Sequence, residues 1–292
     1  MTTTIDQYAV MGHPIAHSQS PRIHTLFAAQ TGQALEYRAI LVEPGGFTAA
    51  ARAFRAAGGK GLNVTVPFKQ DAWVFADILS ARAERAGAVN TLIFEPGGVR
   101  GDNTDGPGLV RDLTVNHGGS LAGQRILLLG AGGAARGVLQ PLLAERPAHL
   151  VIANRTAEKA LGLAVRFSDL GRVAACGFAE LAGRQFDLII NATAAGLEDT
   201  VPPLPEGVLA DGGWCYDLMY GREPTAFVLW GQEQGAARSL DGLGMLVEQA
   251  AEAFHLWRSV WPETGPVIAA LRDLSYAKSG SKITGFAPTG DS

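Results

Sequence analysis

The sequence predicts an α/β protein of two parts with a cleft between them. Three observations carry that expectation. Strand-like and helical runs alternate along most of the 292 residues, the order that builds mixed or parallel sheets covered by helices. A glycine turn, Gly130-Ala131-Gly132-Gly133-Ala134-Ala135, lies directly between the apolar run Ile126 to Leu129 and a helix expected at Ala134 to Leu143. The character of the chain also changes after Gly101-Asp102-Asn103-Thr104-Asp105-Gly106, and the length suffices for two modest domains, each with its own core.

Tyr8 to Met11 reads as the first strand and runs into the turn Gly12-His13-Pro14. Ser20 and Pro21 mark a helix start, with Ser20 as cap and Pro21 at the first position, where a missing N–H costs no hydrogen bond. Tyr37 to Val42 follows as a strand and Phe47 to Ala57 as a helix ended by Gly58-Gly59. Gly61 to Val66 alternates like a strand until Pro67 stops it, Asp71 to Arg85 reads as helix, and Asn90 to Phe94 as strand. Then come a helix at Leu109 to Asn116, a strand at Arg125 to Leu129, the glycine turn, and strands at His149 to Ala153, Phe186 to Asn191 and Trp214 to Leu218. Short apolar runs flanked by glycine suit buried parallel strands. A short element at Gly235 to Leu240 precedes Asp241-Gly242-Leu243-Gly244, and helices are expected at Met245 to Val260 and near Pro266 to Leu274. From Ser275 the chain is small and polar and reads as a mobile tail without function.

Bulk properties exclude several classes. With 47% hydrophobic and 18% charged residues the composition is that of a globular protein. A net charge of -4 gives no attraction to nucleic acid or a membrane surface. No apolar run approaches the roughly 20 residues that span a bilayer, and the N-terminus carries no secretory signal pattern. Cys176 and Cys215 are isolated thiols, as expected in a reducing cytoplasm, and the six His and two Cys form no ligand cluster, so no metal is expected.

The glycine turn follows a strand and opens a helix, the order needed for a tight turn, close backbone approach to a diphosphate, and helix N–H groups aimed at it. An ordinary βα turn is the plainer alternative. About two dozen residues on, the strand His149 to Ala153 ends in Asn154-Arg155-Thr156, with Lys159 one helical turn further. A dinucleotide-binding unit normally places Asp or Glu there for the adenine ribose hydroxyls. Arg155 instead suits a 2′-phosphate, which a guanidinium grips with paired charge-assisted hydrogen bonds. The cofactor expected is therefore NADP rather than NAD.

Three polar clusters remain in the first half. Ser18 and Ser20 either cap the following helix or form, with its free N–H groups, a carboxylate site, and spacing alone leaves both open. In Asn63-Val64-Thr65-Val66-Pro67-Phe68-Lys69, alternation puts Asn63 and Thr65 on one face, and Pro67 is expected to throw Lys69 into a loop. Asn90, Asp102, Asn103 and Asp105 gather amides and carboxylates near the boundary, with Asp105 best placed to face a cleft. Gly101 to Gly106 lacks the spacing and terminal Glu of a calcium loop.

Together these clusters resemble the shikimate dehydrogenase family. The segments that carry the resemblance are Gly12 to Pro21, Asn63 to Lys69, Ala86 to Thr91, Gly101 to Gly106, Gly130 to Ala134, Asn154 to Thr156, Asn191 to Thr193 and Asp241 to Ala250, in family order over nearly the whole chain. The resemblance implies an N-terminal α/β substrate domain and a Rossmann-like NADP-binding domain, with C-terminal helices returning to the first. Residues 1–105 and 246–275 would form the substrate-binding and catalytic part, 106–245 the NADP part, and 276–292 a flexible tail. The implied activity is NADP-linked interconversion of shikimate and 3-dehydroshikimate on the route to aromatic amino acids, by a monomer or homodimer. By the same resemblance, Ser18 and Ser20 hold the substrate carboxylate with Tyr220, while Asn63, Thr65, Asn90, Asp105 and Gln249 bind ring hydroxyls. Lys69, paired with Asp105, is the acid/base group. Gly130, Ala131, Gly132, Gly133, Ala134, Asn154, Arg155, Thr156 and Lys159 bind the cofactor, with Leu218 and Gly242 near the nicotinamide. A broader quinate/shikimate dehydrogenase using NAD or both cofactors is the alternative. One departure is Ala194-Ala195, where the family often has serines.

Overall fold

The computed structural model describes residues 5–193 and 200–279, with backbone alone for 274–279. Two six-stranded sheets organise it. The first holds β1 (Asp6–Gly12), β2 (Leu35–Leu41), β3 (Gly59–Val64), β4 (Ile78–Leu79), β5 (Thr91–Glu95) and β6 (Gly98–Asp102) in the order β2-β1-β3-β5-β6-β4. β1 runs parallel to β2 and β3, whereas β5 is antiparallel to β3 and β6. Ala9 and Met11 pack on Phe47, Ala51 and Phe54 of α2 (Phe47–Ala56), and Tyr8 and Val10 face the other way, toward Tyr37 and Trp257. Helices cover both faces, which is why Tyr8 to Met11 is apolar without alternation.

The second sheet holds β7 (Arg125–Leu129), β8 (His149–Ala153), β9 (Val173–Cys176), β10 (Phe186–Asn191), β11 (Leu209–Asp217) and β12 (Arg238–Leu240) in the order β12-β11-β10-β7-β8-β9. Every pair is parallel. Ile126 and Leu128 pack on α6 (Gly133–Ala144) and α7 (Ala157–Phe167), while Leu127 and Leu129 pack on the opposite face with Phe227 of α8 (Ala226–Glu233). The two halves of this sheet diverge between β7 and β10, and in such sheets ligands bind outside the carboxyl ends at that point. The C-terminal α9 (Leu243–Arg258) and α10 (Gly265–Ser279) return to the first lobe, where Val247, Phe254, Val267 and Leu271 share a core with Ile23 and Phe27 of α1 (Ser20–Thr31).

The structure departs from the sequence reading in several places. Gln19, not Ser20, is the N-cap of α1, and the Ser18 hydroxyl accepts the Ser20 N–H at 3.3 Å. Asp71 to Arg85 is not one helix but α3 (Lys69–Phe75), the short β4, and α4 (Ala81–Ala86). Asp77 causes the break: its N–H donates to Val99 O at 2.8 Å and its carboxylate accepts the Val99 N–H at 2.7 Å, drawing the chain onto the sheet edge. Ser80 then caps α4 by accepting from the Ala83 N–H. Lys69 opens α3, whose N-cap is Phe68, directly after Pro67, rather than sitting in a loop. The helix expected at Leu109 to Asn116 begins earlier as α5 (Asp105–Arg111) and ends in a π-helical turn, Asp112–Asn116. The backbone is helical through Ser279, past the expected start of the tail, whereas residues 280–292 and Ala194-Ala195 lie outside the described residues.

Candidate active site

The carboxyl ends of both sheets meet at one cleft. A cavity of about 400 Å³ there takes Ser18 from the segment after β1, Thr65 from the end of β3, Ala134 from the turn after β7 and Leu218 from the end of β11. Lys69, Asp105 and Asn90 line it as well, as do Ser20, Asn63, Tyr220, Gly242 and Gln249. Residues separated by more than 200 positions are thus brought together at the strand ends, at the starts of α1, α3, α5 and α6, and on the returning α9.

At the centre, Lys69 Nζ lies 2.5 Å from Asp105 Oδ2. Asp105 is the first residue of α5 and is buried, and its other oxygen accepts from Asn90 Nδ2 at 2.8 Å. Asn90 uses its whole carboxamide: Nδ2 also donates to Thr104 Oγ1 at 2.9 Å, and Oδ1 accepts from the Thr104 N–H and the Thr91 hydroxyl, each at 2.9 Å. Asn63 is fixed similarly, its Oδ1 accepting from the Tyr37 hydroxyl at 2.7 Å and its Nδ2 donating to Asn90 O at 3.2 Å. Gln249 Oε1 stands 3.3 Å from both Asn90 Nδ2 and Thr104 Oγ1. A buried polar network with every member satisfied holds its side chains in one arrangement. Behind it, His24 stacks on Tyr37 at 4.1 Å, and burial pushes its imidazole pKa down to about 3.

On the opposite side, Asp217 Oδ1 accepts from Asn191 Nδ2 and the Met219 N–H, each at 3.1 Å, and Oδ2 accepts from the Thr225 hydroxyl at 2.6 Å. These bonds shape the Leu218-Met219-Tyr220 segment over the cavity. Burial raises the Asp217 and Tyr220 pKa values.

The remaining candidates stand outside the cavity. Gly130, Ala131, Gly132 and Gly133 form the turn leaving β7, and Asn154, Arg155 and Thr156 leave the adjacent β8, with Lys159 in the first turn of α7. The Gly130 N–H donates to Ala153 O at 2.8 Å, tying the two strand ends together. Gly130 has φ +103°, and a Cβ there would stand 2.8 Å from Ala192 O, so this turn accepts only glycine. No side chain caps α6, leaving its first N–H groups open, and a Cβ at Gly132 would meet nothing within 4 Å. Arg155, Thr156 and Lys159 are exposed. An open helix N-terminus beside a guanidinium and an ammonium fits a phosphorylated dinucleotide. Three supporting residues escaped the sequence reading: Thr104, Tyr37 and Asp217. Thr104 stood between the acidic residues already noted, but Tyr37 and Asp217 looked only like strand positions.

A second cavity of about 400 Å³, beside Gly118 to Leu121 and Trp214, contains none of the candidates. Among the described residues no group of three or more His, Cys, Asp or Glu could hold a metal ion, and no helix is long and apolar enough to cross a membrane.

A Rossmann-ordered sheet facing a cavity with an ammonium–carboxylate pair defines a two-lobed α/β oxidoreductase. Family models match along the chain: the shikimate dehydrogenase substrate binding domain at residues 10–92, shikimate/quinate 5-dehydrogenase at 112–198, and the shikimate 5′-dehydrogenase C-terminal domain at 242–272. The chain is 64% identical over 270 residues to the shikimate dehydrogenase (NADP(+)) of Methylococcus capsulatus, covering 92% of this chain and 97% of that one. An Ael1 enzyme from Pseudomonas putida superposes with a TM-score of 0.86 at 48% identity, covering 91% and 98% of the two chains. Shikimate 5-dehydrogenase from Thermus thermophilus, solved with NADP(H) and shikimate, does so with a TM-score of 0.82 at 33% identity, covering 92% and 99%. The chain belongs to the shikimate dehydrogenase family.

Proposed function

We propose that this protein catalyses the reversible NADP-dependent interconversion of shikimate and 3-dehydroshikimate, running as ketone reduction in the synthesis of aromatic amino acids. The observation that carries this reading is the Lys69–Asp105 pair, 2.5 Å apart, inside a cavity bordered by both lobes. Residues 1–105 and 246–275 bind substrate, and 106–245 bind the dinucleotide. Ser18 and Ser20, with the open end of α1 and Tyr220, take the substrate carboxylate. Asn63, Thr65, Asn90 and Gln249 orient the ring hydroxyls, with Asp105 beside the reacting one. In oxidation Lys69, as the neutral amine, takes the hydroxyl proton as the C–H bond breaks, and in reduction its ammonium returns that proton to the carbonyl oxygen. Asp105 holds the ammonium end in place, and Asn90 holds Asp105. Bound NADP⁺ supplies the hydride acceptor. The turn Gly130 to Ala134 and Asn154, Arg155, Thr156 and Lys159 hold that cofactor, with Leu218 and Gly242 flanking its reactive end.

Shikimate carrying deuterium at carbon 3 tests the reading. The label is expected to appear in NADPH, one deuterium per turnover, and its appearance in solvent would contradict hydride transfer.

A further inference from the structure

Gln70 follows Lys69 in the first turn of α3, and Arg136 lies in the first turn of α6. With the Gln70 carboxamide oxygen facing the guanidinium, it accepts from Arg136 Nη2 at 2.5 Å and Nη1 at 3.2 Å, joining the two lobes across the cleft. The third guanidinium group, Nε, is buried without a hydrogen-bond partner. The neighbouring charge is Arg166, another cation, which together with burial lowers the Arg136 pKa. A half-buried guanidinium held by a neutral amide beside a second cation lacks an anion. Its position says which: a Cβ on Gly133 in the glycine turn would lie 3.9 Å from Arg136 Nη2, and such a turn takes the diphosphate of a dinucleotide.

The same helical turn also reaches Asp105. A Cβ on Gly137 would stand 3.4 Å from Asp105 Oδ2 and 3.1 Å from Asn103 Oδ1. Arg136 therefore touches the residue beside Lys69, and Gly137 abuts the carboxylate that Lys69 pairs with.

We propose that Arg136 is a positioning residue that couples the two ligand sites: it binds a diphosphate oxygen of the cofactor while holding Gln70, and so fixes Lys69 against Asp105 when the dinucleotide is in place. This rests on the NADP reading above. Coupling of this kind is reciprocal, so cofactor tightens substrate binding by the factor by which substrate tightens cofactor binding.

The test measures NADP⁺ binding to the full-length protein by calorimetry, and shikimate binding with and without saturating NADPH, a pair that does not react. In the unaltered protein shikimate is expected to bind at least about fivefold more tightly with cofactor present. Arg136→Gln is expected to weaken NADP⁺ binding on the order of tenfold or more. Gln70→Ala is expected to keep NADP⁺ affinity within about threefold, to bring the coupling ratio to about one, and to lower kcat more than it raises the shikimate KM. Gln70→Glu, which gives Arg136 an anion of its own, is expected to weaken NADP⁺ binding, and unchanged NADP⁺ binding in that variant would also overturn the proposal. Unchanged NADP⁺ binding in Arg136→Gln, or an unchanged ratio in Gln70→Ala, overturns the proposal. Absence of NADP⁺ binding by the unaltered protein would instead overturn the cofactor reading itself, and this proposal with it.

Discussion

On the wall of the cleft built from the first lobe, Asn63, Asn90 and Asp105 are at most 7% exposed and are joined by hydrogen bonds to one another and to Tyr37, Thr91 and Thr104. On the wall built from the second, Arg155, Thr156 and Lys159 stand open to solvent, and the glycine turn offers bare backbone. Asn63, Asn90 and Asp105 are held in one arrangement by bonds within the protein itself, which suits groups that orient a reacting hydroxyl. On the proposed reading the second wall needs only to attract and hold phosphate groups, for which exposed cations and helix N–H groups suffice. Position matters on one side and charge on the other.

That contrast breaks first at Lys69. Lys69→Ala is expected to reduce kcat about 10²- to 10⁴-fold while leaving the shikimate Kd within about threefold. Steady-state rates alongside calorimetric binding would show it, and a loss confined to binding would place Lys69 among mere ligand contacts. Asn90→Ala comes next, because it strips partners from buried Asp105 and Thr104. A stability loss of about 1–3 kcal/mol is expected from the groups left unpaired, read as a lower urea midpoint, together with weaker shikimate binding. An unchanged midpoint would mean that the network does not organise this wall.

On the second wall, Arg155→Gln is expected to raise the KM for NADP on the order of tenfold, the value of a hydrogen bond to a charged group, and to leave stability and the KM for NAD unchanged. Equal effects on both cofactors would remove the 2′-phosphate from the account.

The last effect is read through pH and concerns His24. Its folded pKa of about 3 lies below the ordinary 6.5 because burial disfavours the cation. The unfolded chain therefore binds more protons between those values. The contribution to stability is complete above pH 6.5 and falls as pH drops toward 3, at most by about 1.4 kcal/mol per unit. Replacing His24 with Phe is expected to flatten urea-melt stability between pH 6 and 4 relative to the unaltered protein. Parallel pH profiles would show that another group titrates there.

The same contrast explains what the amino-acid order reveals. The glycine turn and Asn154-Arg155-Thr156 are each a continuous stretch at the ends of adjacent parallel strands, so spacing alone points to the wall proposed here for the cofactor. The substrate wall draws on the segment after β1, on β3, α5 and α9, and its residues are held by bonds made only after the sheet forms. Spacing left Ser18 and Ser20 undecided between cap and ligand, and only the likeness to a family joined them to Lys69 and Gln249. The break at Asp77 was hidden for a related reason: its cause is the pairing with Val99, more than twenty residues away, while the local pattern remains helical. That break and the opening of α3 at Lys69 are tertiary effects overriding local propensity.

The most direct measurement is the initial rate of nicotinamide reduction, followed by absorbance, with NADP and with NAD, each against shikimate and quinate. Strong activity with shikimate and NADP alone is the expected result. Comparable rates with quinate or NAD would move the protein to a broader quinate/shikimate dehydrogenase, and no turnover with any pair would contradict the proposed activity while leaving the fold in place.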